Sequence, residues 1–488
     1  MVAINNYPLY LILTPLSVAF FLFMFKSYLK KVIGVLSFLT LLFNSGIALY
    51  VFKLIQNKPI MVKLANFLPP IGINLYVTGF NSLLVLIASI VGVFVSLYSL
   101  YYIKEGDKSR YYILLLLFFV GINGILLTGD IFNFFVFFEI LTISAFALVG
   151  IENKKLSIEA GFKYLVQGSL GSLFILVGIG LIYSQVGTLN FADISIKIKE
   201  IDISMKYLIG IFFIVGLGIE TALFPLNFWL PDAHSMAPSS ISAILSGLAI
   251  NAGLYGLLII SYIIFPDVRI LFNIIFLLGI ITMLMGEFLA FRQDNYKRML
   301  AFSSTGQMGL VVISLFSGSI TLFIAGLFQL FNHIFAKVLL FLSGGYILKN
   351  EKDYNSCRLN GAFYRYSIAS TGIIVGALSL LGIPLTLGFY SKINIILGFS
   401  SINKVWIIIL ILLASLFEGF YFVRIIKRLF VRENLEKNFK IPFLINIIFI
   451  LLILFLIVGG IYPYVGNISK YSKEFLDSTK ILSEVLNG

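Results

Sequence analysis

The sequence predicts an all-α polytopic membrane protein of about 14 transmembrane helices, on three observations. Of its 488 residues, 60% are hydrophobic and 12% charged, and the mean hydropathy is +1.03. That is the composition of a membrane protein, not of a soluble globule. Apolar runs near the length needed to cross a bilayer, about 20 residues, recur along the whole chain. Finally, the basic residues between these runs crowd onto one side.

The spans read in order as 7–25, 32–52, 79–103, 111–128, 131–149, 160–184, 207–230, 240–264, 269–290, 299–317, 320–348, 366–400, 404–426 and 441–465. Pro225 breaks the seventh and Pro384 the twelfth, because proline lacks the N–H and its ring clashes with the carbonyl four residues back. The longest stretches outside the spans are 53–78, 185–206 and 466–488, too short for a soluble catalytic domain. Loops after odd-numbered spans hold 21 Lys and Arg, those on the other side 11. The positive-inside rule makes the richer side cytoplasmic and puts both termini outside. The net charge of +13 is then a topological bias, not a sign of nucleic acid. No secretory signal pattern is present at the start, so the first run is expected to stay as a helix.

Four regions follow: an N-terminal three-helix region (1–110), two five-helix blocks (111–264 and 269–426), and a C-terminal helix with its tail (427–488). An odd number of spans per block inverts the second block relative to the first. Paired broken helices in inverted halves mark transporters with ion sites near the midplane.

Composition excludes several chemistries. Cys357 is the single cysteine, and His234 and His333 are the two histidines. That leaves no internal disulfide, no four-cysteine metal site and too few ligands for a zinc or haem centre. There is no P-loop, dinucleotide fingerprint or haem-attachment motif. No cofactor is expected in this chain, and redox chemistry would belong to partner subunits.

Ionisable side chains inside spans are the candidate sites, since each costs roughly 2.5–3.5 kcal/mol at mid-helix. Glu139 lies mid-span, and Glu220 opens the broken stretch ETALFPLNFWLPDAHSMAP (220–238). If the two meet, they would titrate as a pair sharing a proton. Alternatively, a transient sodium ion would sit at Glu139, Glu220 and Thr221, or the half would be silent with Glu220 protonated. A plain proline kink, with Glu220 facing headgroups, is the structural alternative. His333 and Lys337 are four apart and share a helix face; both side chains can exchange protons when held in a dry bundle, or they brace neighbouring helices. Lys392 follows the second break, either as a terminal proton acceptor or snorkelling to the interface. Glu418 is expected to balance Lys392, Glu287 to be a boundary residue and Arg424 to reach the cytoplasm. Asp232 and His234 either cap the next helix segment or take up protons.

Six stretches carry a family resemblance: LPPIGINLYVTGFNSLL (68–84), GDIFNFFVFFEILTISAF (129–146), FPLNFWLPDAHSMAP (224–238), KRMLAFSSTGQMG (297–309), FNHIFAKVLLFLSGG (331–345) and GIPLTLGFYSK (382–392). They resemble the antiporter-like subunits of Mrp-type cation/proton antiporters, especially the D-type subunit, of membrane-bound hydrogenase-type complexes and of respiratory complex I. The resemblance implies two inverted half-channels joined by a polar axis, other membrane subunits as partners, a redox arm with iron–sulfur subunits in some assemblies, and a prokaryotic cell membrane. It assigns proton or sodium translocation to Glu139, His333, Lys337 and Lys392. It also implies lysines where this chain has Glu220 and Asn251, and in many members a histidine where this chain has Asn227. The first half has thus lost the family's cations, which keeps a non-pumping connector as the alternative function.

Overall fold

The computed structural model describes residues 3–4, 6–55, 59–64, 67, 70, 72–103, 107–351, 353–432, 441–461 and 465–477. Lys58, Lys104, Lys352, Lys437, Lys440 and Lys480 of the charge count, positions 68, 69 and 71 of the first stretch, and residues 478–488 of the tail lie outside them.

Twelve helices are long and apolar enough to cross a membrane among the described residues. They are α1 (Tyr7–Met24), α2 (Ile33–Ile55), α3 (Gly79–Tyr102), α4 (Lys108–Leu127), α5 (Ile131–Val149), α6 (Lys155–Val186), α7 (Ile203–Glu220), then, after the short α8 (Trp229–Met236), α9 (Ser239–Ile264), α10 (Arg269–Phe291), and further on α12 (Ile320–Asn350), α15 (Val405–Leu429) and α16 (Phe443–Ile461). Two predicted spans fall short of that test. Helix α11 (Tyr296–Leu315) carries Lys297, Arg298, Ser303, Ser304, Thr305 and Gln307 and is too polar. The twelfth is split into α13 (Ser367–Leu381) and α14 (Leu387–Ser401), 15 residues each. An amphipathic helix, α17 (Val465–Leu476), closes the described chain.

The helical bundle also carries one small sheet. Strands β1 (Ala3–Ile4), β2 (Ile60–Lys63) and β3 (Asn74–Val77) form a small sheet, β1 parallel and β3 antiparallel to β2. Its segments fall at the start of the chain and in a stretch that reads as plain loop. Asn74 ties the sheet to the bundle, because its carbonyl accepts from Gly129 N and its Oδ1 from Asn190 Nδ2.

One backbone feature occurs twice at a fixed spacing. Asp130 bridges to Asn190 and Asn295 to Asn355, and both partners of the second bridge lie 165 residues after those of the first. The first residue of each bridge caps the next helix: Asp130 Oδ1 accepts from Asn133 N at 2.7 Å and Asn295 Oδ1 from Arg298 N at 3.0 Å. Such caps satisfy N–H groups that a helix start leaves open. Helices α6 and α12 begin at the same offset of 165, at Lys155 and Ile320.

Both breaks are shaped alike. Helix α7 stops at Glu220, before Pro225, and α13 stops at Leu381, before Pro384. Each break contains a non-glycine residue at positive φ, Ala222 at 58° and Leu385 at 74°. The core sits on α9 and α12, whose most apolar windows are each 94% buried, so polar groups on these helices face protein and not lipid.

Candidate functional site

In the second block, polar and ionisable side chains from five helices join in one hydrogen-bonded chain. Lys337, fully buried on α12, donates to the Leu300 carbonyl at 3.1 Å and to Ser303 Oγ at 2.7 Å. Tyr421 OH lies 2.7 Å from both Ser303 Oγ and Glu287 Oε2. Gln307 Nε2 donates to Glu287 Oε1 at 3.2 Å and to Glu418 Oε1 at 2.8 Å. Glu418 Oε2 then accepts from Lys392 Nζ at 2.6 Å. A side branch runs from Ser391 through Gln329 to Gln307 Oε1, at 2.5 and 2.6 Å. Two acids and two bases thus lie on one hydrogen-bonded path inside the bundle.

Local sequence explains the placement. Gly286, Gly306 and Gly309 let α10 and α11 approach closely, and a Cβ at Gly306 would meet the Glu287 carboxylate. Gly382, at φ 79°, ends α13 and leaves room for the Lys392 stem, 2.9 Å from where its Cβ would stand. Lys392 also donates to the Leu381 carbonyl at the break, at 3.4 Å.

Glu287 requires a correction. Its place one turn before Arg292 suggests the boundary; it is 2% exposed and links Tyr421 to Gln307. Arg424, in contrast, reaches out to the carbonyls of Phe291 and Gln293 at the end of α10.

His333, one turn before Lys337 on α12, meets the first block, while its Nδ1 has no hydrogen-bond partner. Its Nε2 lies 3.2 Å from the Ser246 carbonyl, which can only accept, so Nε2 carries the hydrogen there. Ser246 Oγ is 2.7 Å from Ser304 Oγ. Ser246 stands in a π-helical turn, Leu245–Ala249, the kind of helix defect that recurs at functional sites.

The first block is differently charged. Glu220, 1% exposed, ends α7, and its Oε1 accepts from Tyr164 OH at 2.7 Å. The Tyr164 ring stacks on Trp229, 3.9 Å between centroids, and Trp229 Nε1 donates to the Ile219 carbonyl. Glu139 is half-buried on α5, and its Oε1 has no hydrogen-bond partner. Thr221 is spent on the Leu217 carbonyl. Asn251 donates to the Gly247 carbonyl at 2.6 Å and lines an apolar cavity with Phe80, Tyr255 and Ile334. The Asn227 amide points to Thr305 Oγ1 at 3.5 Å.

Asp232 and His234 do not cap the next segment, since both lie inside α8. Asp232 ion-pairs with Lys163 at 3.0 Å and Arg298 at 2.8 Å. His234 is fully buried, stacked on Phe341 with both ring nitrogens unpartnered. Nearby, Lys297 donates to the Ala237 carbonyl and lies over the Tyr354 ring. Sequence reasoning misses Tyr164, Ser303, Gln307, Gln329 and Tyr421; a mid-span glutamine is the one available signal.

Comparison with known proteins gives the class. Residues 128–418 match the family model described as NADH:quinone oxidoreductase/Mrp antiporter, TM. This chain belongs to that family. It is 32% identical to the D-type subunit of the Na(+)/H(+) antiporter of Alkalihalophilus pseudofirmus, over 99% of each chain. It is 30% identical to the N-type subunit of the NADH-quinone oxidoreductase of Desulforudis audaxviator, over 80% of this chain and 79% of that one. Among solved structures it resembles a chain of the membrane-bound sulfane sulfur reductase, an archaeal respiratory membrane complex, with a TM-score of 0.94, 33% identity and 99% and 100% coverage. A chain of the Mrp complex from Dietzia sp. DQ12-45-1b shares the fold, with a TM-score of 0.91 at 20% identity and 99% coverage of each.

Proposed function

We propose that this chain is an ion-translocating, antiporter-like subunit of a multi-subunit prokaryotic membrane complex. The observation that carries the reading is the unbroken buried chain from Lys337 to Lys392. Each ionisation there changes the field at the next, in a medium where charges interact far more strongly than in water. One elementary charge moved across 100 mV is worth about 2.3 kcal/mol, so a few linked ionisations suffice and no large backbone motion is needed. Gln307 does not itself relay protons; its two N–H groups hold Glu287 and Glu418 together so that each senses the other's charge.

In this reading residues 111–264 and 269–426 are two half-channels within a fourteen-span chain. Translocation runs through Glu139, Glu220, His333, Lys337 and Lys392, with Asp232, His234, Asn251 and Glu418 in supporting roles. The loop charges support a cytoplasmic side at Arg292–Arg298 and both termini outside. Its likeness to the A. pseudofirmus protein supports an Mrp-type antiporter; its likeness to the archaeal reductase supports a respiratory complex whose redox arm lies in other subunits. Neighbouring genes for iron–sulfur proteins would select the second.

A non-pumping connector is the other reading, favoured by Glu220 and Asn251 at the family's lysine positions. Cation-dependent proton movement in vesicles holding the whole complex decides between them. Lys392→Ala, which strands Glu418, is expected to lower the rate at least tenfold. An unchanged rate would leave the connector reading.

A further inference from the structure

Two cavities inside the bundle meet at a pair of aromatic rings, and their linings are opposite in character. The inner cavity lies between α3, α4, α9 and α12. Of the side chains that line it, only Asn251 and Tyr255 are polar. Asn251 is the thirteenth of the 26 residues of α9, so this cavity begins at mid-bundle. Its Oδ1 is buried without a partner, while its Nδ2 donates to the Gly247 carbonyl. Gly247 belongs to the π-helical turn whose Ser246 carbonyl faces His333. Ile334, the residue after His333, also lines the cavity. The inner cavity therefore backs onto the polar contact between the two blocks.

The outer cavity is lined by Asn74, Thr78, Asn81, Thr128, Asn190 and Glu474 beside apolar groups. Glu474, on α17, is the one charged side chain among these described lining residues. This cavity lies at the Gly79 end of α3. At the other end of that helix Tyr102 OH is 3.2 Å from Tyr354 OH, and the Tyr354 carbonyl accepts from Tyr296 N, next to Lys297. The 24 residues of α3 rise about 36 Å, enough to cross a bilayer. The outer cavity thus lies at the membrane face opposite Arg292–Arg298. Phe80 and Tyr255 line both cavities. Their rings stack, with centroids 6.4 Å apart and 18° between planes. Phe475 of α17 packs on Phe80 at 4.4 Å, and Tyr255 OH donates to the Leu126 carbonyl at 3.2 Å.

We propose that the two cavities form an outlet for a monovalent cation on the face opposite Arg292–Arg298, with the stacked rings of Phe80 and Tyr255 as its gate. A polar cavity holds water and an apolar one stays dry, and a hydrophobic constriction blocks ions until it wets. Displacing the Phe80 ring joins the wet outer cavity to Asn251, whose free Oδ1 accepts from the first water to enter. The Glu474 carboxylate at the mouth raises the local concentration of cations. The route runs outside both broken helices, and its wall is shared by the N-terminal region and α17. The inference rests on reading the chain as an ion-translocating subunit and adds where its cation leaves.

Cys357 is the chain's single cysteine, so Cys357→Ser gives a clean background for Ile263→Cys in the outer cavity and Ala252→Cys in the inner one. The complete complex in sealed vesicles is treated from either face with a membrane-impermeant, positively charged methanethiosulfonate, and labelling of this chain is followed by mass spectrometry. Ile263→Cys is expected to react from the α17 face. Ala252→Cys is expected to react from that face at least tenfold more slowly, and to recover most of the difference when Phe80→Ala is added. If Phe80→Ala fails to assemble, Phe80→Leu carries the comparison. Faster reaction of Ala252→Cys from the opposite face, or a rate unmoved by the Phe80 variants, overturns the outlet. Reaction with an apolar maleimide alone would mean a cavity filled by acyl chains and overturns it equally. Lys392-dependent ion movement alongside such a result would leave the proposed function standing. The expected labelling in a complex that moves no ions would overturn that function while the ring gate stands.

Discussion

At Tyr421 a single hydroxyl touches both Ser303 and Glu287, at 2.7 Å each, and so joins the Lys337 end of the buried chain to its acidic middle. Tyr421→Phe keeps the ring and deletes this joint. Leaving a buried acceptor short of a donor costs about 1–3 kcal/mol, so the melting temperature of the complex should fall. Ion movement in vesicles should fall at least tenfold, because charge at Lys337 is no longer passed to Glu287. A normal rate in a destabilised variant would mean the hydroxyl only braces the fold. Lys392 and Glu418 pose the harder energetic case. A buried pair contributes little net stability, but removing one partner costs roughly 3–5 kcal/mol. The residues legible in the sequence are those expensive in lipid: Lys337, Lys392, His333, Glu139 and Glu220. Tyr421, Gln307 and Gln329 carry no charge and fit ordinary helix faces, so their role depends on neighbours that are distant in sequence. Gln307 meets Glu418 across 111 positions.

Helix breaks set where these side chains lie. The turn after α7 is pinned from the other block, since Phe224 N donates to Thr282 on α10. On α9, Gly253 makes room for this turn, because a Cβ there would stand 2.7 Å from Thr221 N. Thr282→Val has the same shape without the acceptor and should cost about 1–3 kcal/mol through the orphaned N–H. Thr282→Ser should keep most of that stability. Thermal unfolding of the assembled complex compares them, and equal midpoints for Val and Ser would show that the bond contributes nothing. Both breaks are legible because proline has one physical consequence in a helix wherever it occurs. The polar span α11 is legible from its length between loops, although its composition alone fails a hydropathy test. The three-stranded sheet is not legible. Its strands are two to four residues long, and Ala3 finds its partner only at Ile60, so there is no local period to read. Glu287 is misplaced by sequence reasoning for a related cause. Distance from a helix end measures depth only when the helix end is at the surface, and the α10–α11 glycine contact buries this turn.

Across the whole molecule, the two blocks are tied at both ends. On one side Asp232 of α8 binds Lys163 of α6 and Arg298 of α11, one cation from each block. On the other side the tie is apolar. Phe475 of α17 packs against Phe80 of α3, Tyr262 of α9 and Phe323 of α12, with ring centroids 4.4, 6.2 and 6.0 Å away. The N-terminal region, first block and second block therefore meet on one side chain that belongs to none of them. The same helix brings Tyr471 against Phe52 and over Gly79, where a Cβ would collide with its ring. The amphipathic pattern of residues 465–476 is what seats it, as one face carries Tyr471, Ser472 and Phe475 inward while Lys473 stays exposed. Phe475→Ala removes a buried ring and should cost about 3–5 kcal/mol, read as a lower unfolding temperature of the complex. Phe475→Leu fills most of the space and should recover the larger part. Because the ring sits where the blocks converge, the Ala variant should also let protons leak through vesicles without any cation dependence. A destabilised but proton-tight Ala variant would make α17 a brace for the bundle and no seal between its halves.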